Sequence, residues 1–280
     1  MKSVPLISVN IRTYNSAKTL GKTLESVKEQ SYSNIEILVS DGFSKDGSVK
    51  IAKKFGARVS FADKLGDARY QNYINSKGKY IISLDSDQFF EEKLIEVCVN
   101  ECEKNGYDAL IITEKSFIKK GTFLEKLLAY DKWVIDQNKD SDLVFGTACP
   151  RFFKKSLLSD IKWPRELAVF DDTILYSQLL KKGAKIKYIS EQSIRHSEVT
   201  TWSALVKKFY RYGKGYVGAF QAGPSTIAGH SLPRRSYFSK AALSKPHYFL
   251  GLLFLYTVKA FAASSGVVSY FLSTLSNKKK

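Results

Sequence analysis

Apolar and polar residues alternate in blocks through the first half of the chain. Short apolar runs rich in β-branched and aromatic residues predict strands, whereas the longer stretches between them have the spacing of amphipathic helices. The predicted strands are residues 6–11, 35–39, 58–61, 80–84 and 109–113. The predicted helices end near residues 30 and 55 or cover residues 67–75 and 91–103. Strands that alternate with helices predict an α/β fold, with a mainly parallel sheet and helices on both faces.

The pattern changes after Gly121. Helices are predicted at residues 122–137 and 172–181, the second of them ended by Gly183. Residues 146–153 are expected to form a loop that leads into a strand, and a further strand is expected at residues 185–189. Three segments follow from these patterns: an α/β domain at 1–222, a basic linker at 223–246 and a hydrophobic tail at 247–280.

The hydrophobic tail predicts contact with a membrane. Its apolar stretch is long enough for one span, and Lys259 and the Ser-Ser-Gly at 264–266 are its main interruptions. Tyrosines along it and three lysines at residues 278–280 are typical of an interfacial anchor. A peripheral helix and a single-pass helix both fit this pattern. The alternative is a helical pair that packs on the domain.

The composition indicates an anionic partner. The chain has 44 basic and 27 acidic residues, with a net charge of +17, which fits nucleic acid, nucleotide phosphates or an acidic membrane surface. No zinc-ligand spacing or RNA-recognition motif supports nucleic acid.

The cysteines at 98, 102 and 149 show no metal spacing and no disulfide framework, which predicts a reducing compartment. The chain enters a strand almost at once, without a signal-peptide pattern.

Two carboxylates, Asp85 and Asp87, follow the predicted strand at residues 80–84. Residues i and i+2 of an extended chain point to the same side, and open α/β sheets bind ligands at the carboxyl ends of their strands. Paired carboxylates suit Mg²⁺ or Mn²⁺, and such a metal usually also holds phosphates. The plain alternative is a strand that ends in a polar turn.

Other polar motifs occur at the ends of neighbouring strands. Thr13-Tyr14-Asn15 follows the first strand, Asp41 follows the second, and Arg69 lies in the helix before the fourth. Together with the Asp-x-Asp pair, this ordered set resembles glycosyltransferase family 2, the inverting nucleotide-sugar enzymes of GT-A fold. The resemblance covers residues 6 to about 215 and makes residues 1–222 a GT-A domain.

The resemblance implies a donor site. It places Thr13, Tyr14 and Asn15 beside the nucleotide base, Asp41 on a base N–H, and Arg69 near the diphosphate. An N-capping role is an equally good interpretation of Asn15 or Ser16, and a helix-surface ion pair is the alternative for Arg69. Relatives usually have paired aspartates where this chain has Ser40-Asp41, which leaves uridine and guanosine donors open.

The resemblance also implies a metal site. Asp87 would coordinate Mn²⁺ or Mg²⁺, Asp85 would lie nearer the ribose and serve as a further ligand, and His196 would be a third metal or phosphate contact. The metal would stabilise charge on the leaving nucleoside diphosphate. A structural role is the alternative for His196.

Four further assignments rest on the resemblance. Asp172 is the expected general base, with Asp171 as its neighbour and an N-capping role as the alternative for Asp171. The loop containing Gly146 and Thr147 would lie under the donor sugar. Arg211 resembles the late arginine of the family's closing motif.

These features predict a metal-dependent inverting glycosyltransferase at the cytoplasmic face of the cell membrane. Its donor would be a nucleotide-diphosphate sugar, and its acceptor a hydroxyl or phosphate, on a lipid carrier or lipid-linked glycan. A nucleotidyltransferase of related fold is an alternative, although the first loop lacks the glycine-rich basic sequence expected for it. A nucleic-acid-binding module is the other alternative, and we expect no nucleic-acid partner.

Overall fold

The structure, a computed structural model, describes residues 4–137, 149–229 and 235–277. The strands are β1 (Ile7–Thr13), β2 (Ile35–Asp41), β3 (Arg58–Phe61), β4 (Tyr80–Asp85), β5 (Gln88–Phe90), β6 (Ala109–Phe117), β7 (Phe152–Lys154) and β8 (Ile186–Ser197). The helices of the first 200 residues are α1 (Leu20–Lys28), α2 (Ser48–Lys54), α3 (Leu65–Asn75), α4 (Leu94–Asn105), α5 (Phe123–Gln137) and α6 (Asp171–Lys181). After them come α7 (Trp202–Ala222), α8 (Pro224–Gly229), α9 (Lys240–Leu243) and α10 (Pro246–Asn277), with short 3₁₀ turns at Lys155–Leu158 and Arg235–Phe238.

The described strands form one eight-stranded sheet in the order β3-β2-β1-β4-β7-β6-β8-β5. The first four strands of this order are mutually parallel. Strand β7 is antiparallel to both β4 and β6, and β5 is antiparallel to β8. The sheet is therefore mixed, and its parallel half comes from the N-terminal part of the chain, where strands and helices alternate.

Helices cover both faces of the sheet, as the sequence pattern predicts. Ile7, Val9 and Ile11 of β1 point to one face and share a hydrophobic cluster with residues of α1, α2 and α4. Ile81 of β4 points to the other face, where it joins Leu175 and residues of α3 and α6. The period-2 alternation of β-strands assigns successive residues to these two cores.

Residue contacts divide the chain into two compact units. The first unit consists of Met1–Lys115, Ala148–Glu166 and Leu175–His196. The second consists of Ser116–Thr147, Leu167–Ile174 and Ser197–Lys280. Its own hydrophobic cluster joins residues of α5 and α7 to Leu252 and Leu255 of α10. The segment boundaries at residues 222 and 246, which were predicted from the sequence, stay a prediction.

Two features of the sheet differ from the sequence expectation. Strand β5 was not predicted, and β8 extends to Ser197 rather than ending at residue 189. Both extra segments are stabilised by pairing with each other, with Gln88 opposite His196. Such pairing depends on a distant partner and leaves no local pattern. Gly183 has the expected left-handed backbone, with φ of 70°, after α6.

Candidate active site

The carboxyl ends of β1 and β2 bring Thr13 and Asp41 side by side, because the register of these parallel strands pairs the two residues. Both side chains are buried. Oδ1 of Asp41 accepts a hydrogen bond from the backbone N–H of Ser44 at 2.7 Å. Oδ2 of Asp41 and Oγ1 of Thr13 have no hydrogen-bond partner among the described residues. Since buried polar atoms are normally satisfied, these two atoms are candidates for contact with a polar ligand group.

Tyr14 and Asn15 shape the loop beside this pair. The ring of Tyr14 is 62% exposed and lies so close to Gly42 that a Cβ there would be 3.1 Å from it. The side-chain oxygen of Asn15 accepts a hydrogen bond from the backbone N–H of Lys45 at 2.9 Å. Asn15 therefore joins the first loop to the second. The N-capping interpretation of Asn15 is wrong, because the residue before α1 is Thr19, which makes no side-chain cap.

Asp85 lies among guanidinium groups. The side chain of Arg12, its register partner in β1, is paired with Oδ1, and Arg151 lies 3.6 Å from Oδ2. Partial withdrawal from water would raise the pKa of Asp85, but the charges of Arg12 and Arg151, with smaller contributions from Arg69 and His196, hold the pKa well below its usual range. Asp85 is therefore a permanent carboxylate, and its role as a metal ligand stays a prediction.

Arg69 is the third guanidinium group that acts on Asp85. It is buried on α3, so the helix-surface ion pair suggested as its alternative does not describe it. Arginine binds phosphate oxygens through a planar fork of donors. Three arginines act on the one carboxylate of Asp85, and this local positive charge favours an anionic ligand group beside them.

Asp87 and His196 come together at the next turn. The Nε2 atom of His196 lies 3.4 Å from Oδ2 of Asp87, and its Nδ1 atom lies 2.9 Å from Oε1 of Glu114. Gln88 holds this group in place, since its amide nitrogen donates to Glu114 at 2.9 Å and its oxygen accepts from the backbone N–H of Asp85 at 3.0 Å. The pairing of β5 with β8 is what brings His196 here.

Asp87 and His196 fit a divalent cation as a pair of ligands. Among the described residues, no group of three or more His, Cys, Asp or Glu side chains is arranged to hold a metal ion. A pair is sufficient where the substrate supplies phosphate oxygens, because Mg²⁺ is commonly bound through one or two protein ligands, phosphates and water. The contact of Nδ1 with Glu114 directs Nε2 of His196 towards Asp87, an arrangement typical of histidine ligands.

The remaining predicted residues that the structure describes belong to the second unit. Asp171 is buried and Asp172 is partly exposed in the first turn of α6, and Oδ1 of Asp172 accepts from the backbone N–H of Thr173 at 2.8 Å. Arg211 is exposed on α7. Gly146 and Thr147 lie outside the described residues.

Four residues of this region were not predicted from the sequence: Arg12, Gln88, Glu114 and Arg151. Arg12 and Glu114 belong to strands whose apolar runs were predicted to end just before them, and Arg151 lies in the predicted loop at residues 146–153. A charged residue that interrupts a buried strand is a signal in itself, since burial of a charge requires a partner. For Arg12 this signal is visible in the sequence, but the sequence alone does not show that its partner is Asp85.

Comparison with solved structures defines the class of this fold. A mannosyltransferase from Pyrobaculum calidifontis, solved with GDP-Man and Mn²⁺, matches 96% of this chain and 88% of its own with a TM-score of 0.61 at 15% identity. S. aureus TarS, solved with UDP-GlcNAc, matches 95% of this chain and 89% of its own with a TM-score of 0.59 at 18% identity. The fold is therefore the GT-A fold of nucleotide-sugar glycosyltransferases.

The sequence comparisons identify the family. Residues 8–162 match the model of glycosyl transferase family 2, and the chain belongs to that family. The cholesterol galactosyltransferase of Borreliella burgdorferi is 24% identical over an alignment of 208 positions, which covers 66% of this chain and 58% of that protein. The chain thus matches less than two thirds of the length of this relative.

Proposed function

We propose that this protein is an inverting glycosyltransferase that transfers a sugar from a nucleoside-diphosphate sugar. Family membership supports the reaction class. The observation that carries the proposal is the convergence of Asp85, Asp87 and His196 with three arginines at the sheet end that also holds Thr13 and Asp41. One end of the sheet thus offers groups for a base, a diphosphate and a metal.

The base of the donor would bind between Thr13, Tyr14 and Asp41. The free Oδ2 of Asp41 can accept an N–H of uracil or guanine, and Thr13 Oγ1 can bond a second polar atom. Since Asp41 is fully buried, the residues around it would have to move as the base enters. Structural relatives contain UDP-GlcNAc in one case and GDP-Man in another, so both nucleotides belong in the test.

The diphosphate would lie by the guanidinium groups, and a metal would be held by Asp87 and His196. Mn²⁺ or Mg²⁺ there would offset the negative charge that grows on the leaving nucleoside diphosphate. The Mn²⁺ of the archaeal mannosyltransferase supports the choice of a divalent cation. Arg69, Arg12 and Arg151 supply fixed positive charge towards the same group.

The transfer itself forms one bond and breaks one bond. The acceptor oxygen attacks the anomeric carbon, the bond from this carbon to the diphosphate oxygen breaks, and its electron pair leaves with the diphosphate. Asp172 is our candidate to take the proton of the acceptor hydroxyl, supported by its position in the family motif and by its partial exposure. Buried Asp171 would support the turn rather than touch the acceptor.

The acceptor would be a lipid carrier or a lipid-linked glycan at the cytoplasmic face of the membrane. Two observations support a lipid: the related Borreliella protein is named for transfer to cholesterol, and α10 is long and apolar enough to cross a membrane by length and composition. The net charge of +17 favours an anionic membrane surface.

A thermal-shift screen of UDP- and GDP-sugars with and without Mn²⁺ tests the donor proposal. A true donor binds only the folded state and stabilises it by about 2.7 kcal/mol at a hundred times its Kd. We expect one nucleotide series to raise the Tm in a Mn²⁺-dependent way, and the same sugar to support transfer. If no nucleotide sugar raises the Tm of a protein that unfolds cooperatively, the glycosyltransferase proposal is wrong.

A further inference from the structure

One face of α10 is exposed and entirely uncharged. Side chains recur on it every three or four positions, as they do on one side of a helix. Its exposed members are Leu250, Leu253, Phe254, Thr257, Phe261, Ser264, Val268, Phe271, Leu272 and Leu275. Phe261 is 76% exposed and Leu272 is 63% exposed. An apolar strip of this length is unusual on a soluble surface and indicates a partner.

The opposite face of α10 is fixed to the second unit by a buried ion pair. Nζ of Lys259 lies 2.9 Å from Oδ2 of Asp131 in α5, and the hydroxyl of Tyr237 donates to Oδ1 of Asp131 at 2.8 Å. The two charged side chains are only 15% and 7% exposed. A crossing helix would place Lys259 near the middle of a bilayer, which costs several kcal/mol per charge. Here the charge is already neutralised inside the protein.

Close helix packing also holds α10 to the unit. A Cβ at Gly213 of α7 would lie 1.9 Å from the carbonyl oxygen of Ala263, and a Cβ at Gly266 would lie 2.1 Å from that of Tyr210. Only glycine permits such an approach of two backbones. Leu252 and Leu255 of α10 complete the core of the unit. The helix is therefore packed as an integral part of this unit, and its apolar outer face is held in one orientation.

Exposed basic residues lie on the segments next to α10. Lys245 is exposed just before α10, and its ammonium group lies 5.9 Å from the ring of Tyr130 and 6.0 Å from that of Trp133. Lys207, Arg211 and Lys214 are exposed on α7, which packs against α10. Lysines 278–280 follow α10 in the sequence. An apolar helix face, with exposed cations on the neighbouring segments of the same unit, matches the chemistry of an anionic membrane surface.

We infer that the outer face of α10 docks into the interface of an anionic bilayer, with the helix parallel to the membrane plane and not across it. This inference rests on the membrane placement proposed above and specifies its geometry. The apolar side chains enter the acyl boundary, and the neighbouring lysines and arginines bind acidic headgroups. The Lys259–Asp131 pair stays inside the protein throughout.

Liposome flotation of the full chain tests docking. The protein should float with vesicles of phosphatidylcholine and phosphatidylglycerol, and float less with phosphatidylcholine alone or in high salt. The double variant Phe261→Glu/Leu272→Glu should lower partitioning at least tenfold, since two large apolar groups are lost from the interface. The matched control Val4→Glu/Ile74→Glu, at exposed sites of the first unit, should float like the wild type.

Spin labels distinguish the two orientations. Phe254→Cys, Phe261→Cys, Val268→Cys and Leu275→Cys can each carry a nitroxide, because the native cysteines are buried. Residues 254 and 275 are about 31 Å apart along a helix, close to the thickness of a bilayer core. Equal shallow depths at all four positions support the inference. A maximum of depth near position 261, with both ends near the surface, overturns it.

Three other results of flotation, spin labelling and sedimentation would each overturn part or all of the inference. If the protein floats but the labels show a crossing helix, only the in-plane geometry fails. If it does not float and sedimentation shows dimers that Phe261→Glu/Leu272→Glu dissociates, a second copy covers the face and the inference is wrong. If it neither floats nor self-associates, both the inference and the membrane placement fail. Transfer to a short soluble acceptor, measured on the same samples, tests the glycosyltransferase proposal separately.

Discussion

Arg12 and Asp85 stand opposite each other in the register of β1 and β4, and their side chains form an ion pair at the carboxyl ends of the two strands. Arg12 is buried, and Asp85 is partly exposed. Arg151 lies near the other carboxylate oxygen, so Asp85 connects two arginine side chains. Asp85 therefore stabilises the fold in addition to contributing negative charge to the site. Asp87 contacts His196 instead. The same Asp-to-Asn substitution is therefore expected to change the stability of the protein at position 85 more than at position 87.

Asp85→Asn should destabilise the fold, by about 1–3 kcal/mol, because it removes the negative charge that is paired with the buried guanidinium group of Arg12. Asp87→Asn is the matched control and should leave the free energy of unfolding within about 0.5 kcal/mol of the wild type, since the side chain of Asp87 is 42% exposed. Urea unfolding of both variants measures the difference. Equal stability of the two would show that the Arg12–Asp85 pair contributes nothing.

Asp87→Asn should instead abolish the Mn²⁺-dependent part of donor binding. The substitution removes a charged ligand but little volume, so the fold should survive. Calorimetry of the donor with and without Mn²⁺, followed by a transfer assay, measures the effect. Full transfer activity in this variant, or in the wild type with excess chelator, would contradict a metal-dependent mechanism.

Glu114→Gln should weaken Mn²⁺ binding about 10–100-fold, the range typical of groups that orient a histidine ligand. Glu114 contacts Nδ1 of His196 and touches no substrate in our proposal. Titration of Mn²⁺ by electron paramagnetic resonance gives the affinity without any assay of transfer. Glu29→Gln, at an exposed position of the same unit, is the control. Unchanged affinity in Glu114→Gln would remove Glu114 from the site.

Asp172→Asn should lower transfer strongly and spare donor binding, because a general base acts in the transition state. Asp171→Asn should mainly lower the Tm, since Asp171 is buried. A transfer assay and donor calorimetry on both variants separate these effects. If Asp171→Asn is the folded but inactive variant and Asp172→Asn is normal, the assignment is off by one residue.

Glu125 gives a prediction for pH. Burial raises the pKa of its carboxyl group, but backbone N–H groups of Thr122, Lys120 and Lys119 outweigh burial and lower the pKa to about 2. A lowered pKa means that the folded state favours the carboxylate, so this stabilisation is complete above pH 4.5, the ordinary value, and is lost as the pH falls towards 2.

Glu125→Gln should therefore be less stable than the wild type at pH 7, by about 1.5–3 kcal/mol. The gap should close as the pH falls from 4.5 to 2. Urea unfolding at several pH values measures it, with the exposed Glu29→Gln variant as the control. A gap that is constant over this range would show that the charge of Glu125 is not what stabilises the turn.

The sequence by itself determined the parallel half of the sheet and the residues at its edge. Short apolar runs and the helical patterns between them are local, so β1 to β4 were predicted nearly in place. Parallel strands present their carboxyl ends at one edge. Thr13, Asp41 and Asp85 therefore had to come close once that pattern was known.

Only the tertiary structure decided how this edge is completed. Pairing of β5 with β8 brings His196 to Asp87, and Glu114 meets His196 across 82 residues of chain. The ion pair of Lys259 with Asp131 spans 128 residues and decides which face of α10 is buried. Such contacts are made between distant segments whose local sequences are compatible with several partners, and burial of charge selects one of them because an unpaired buried charge is so costly.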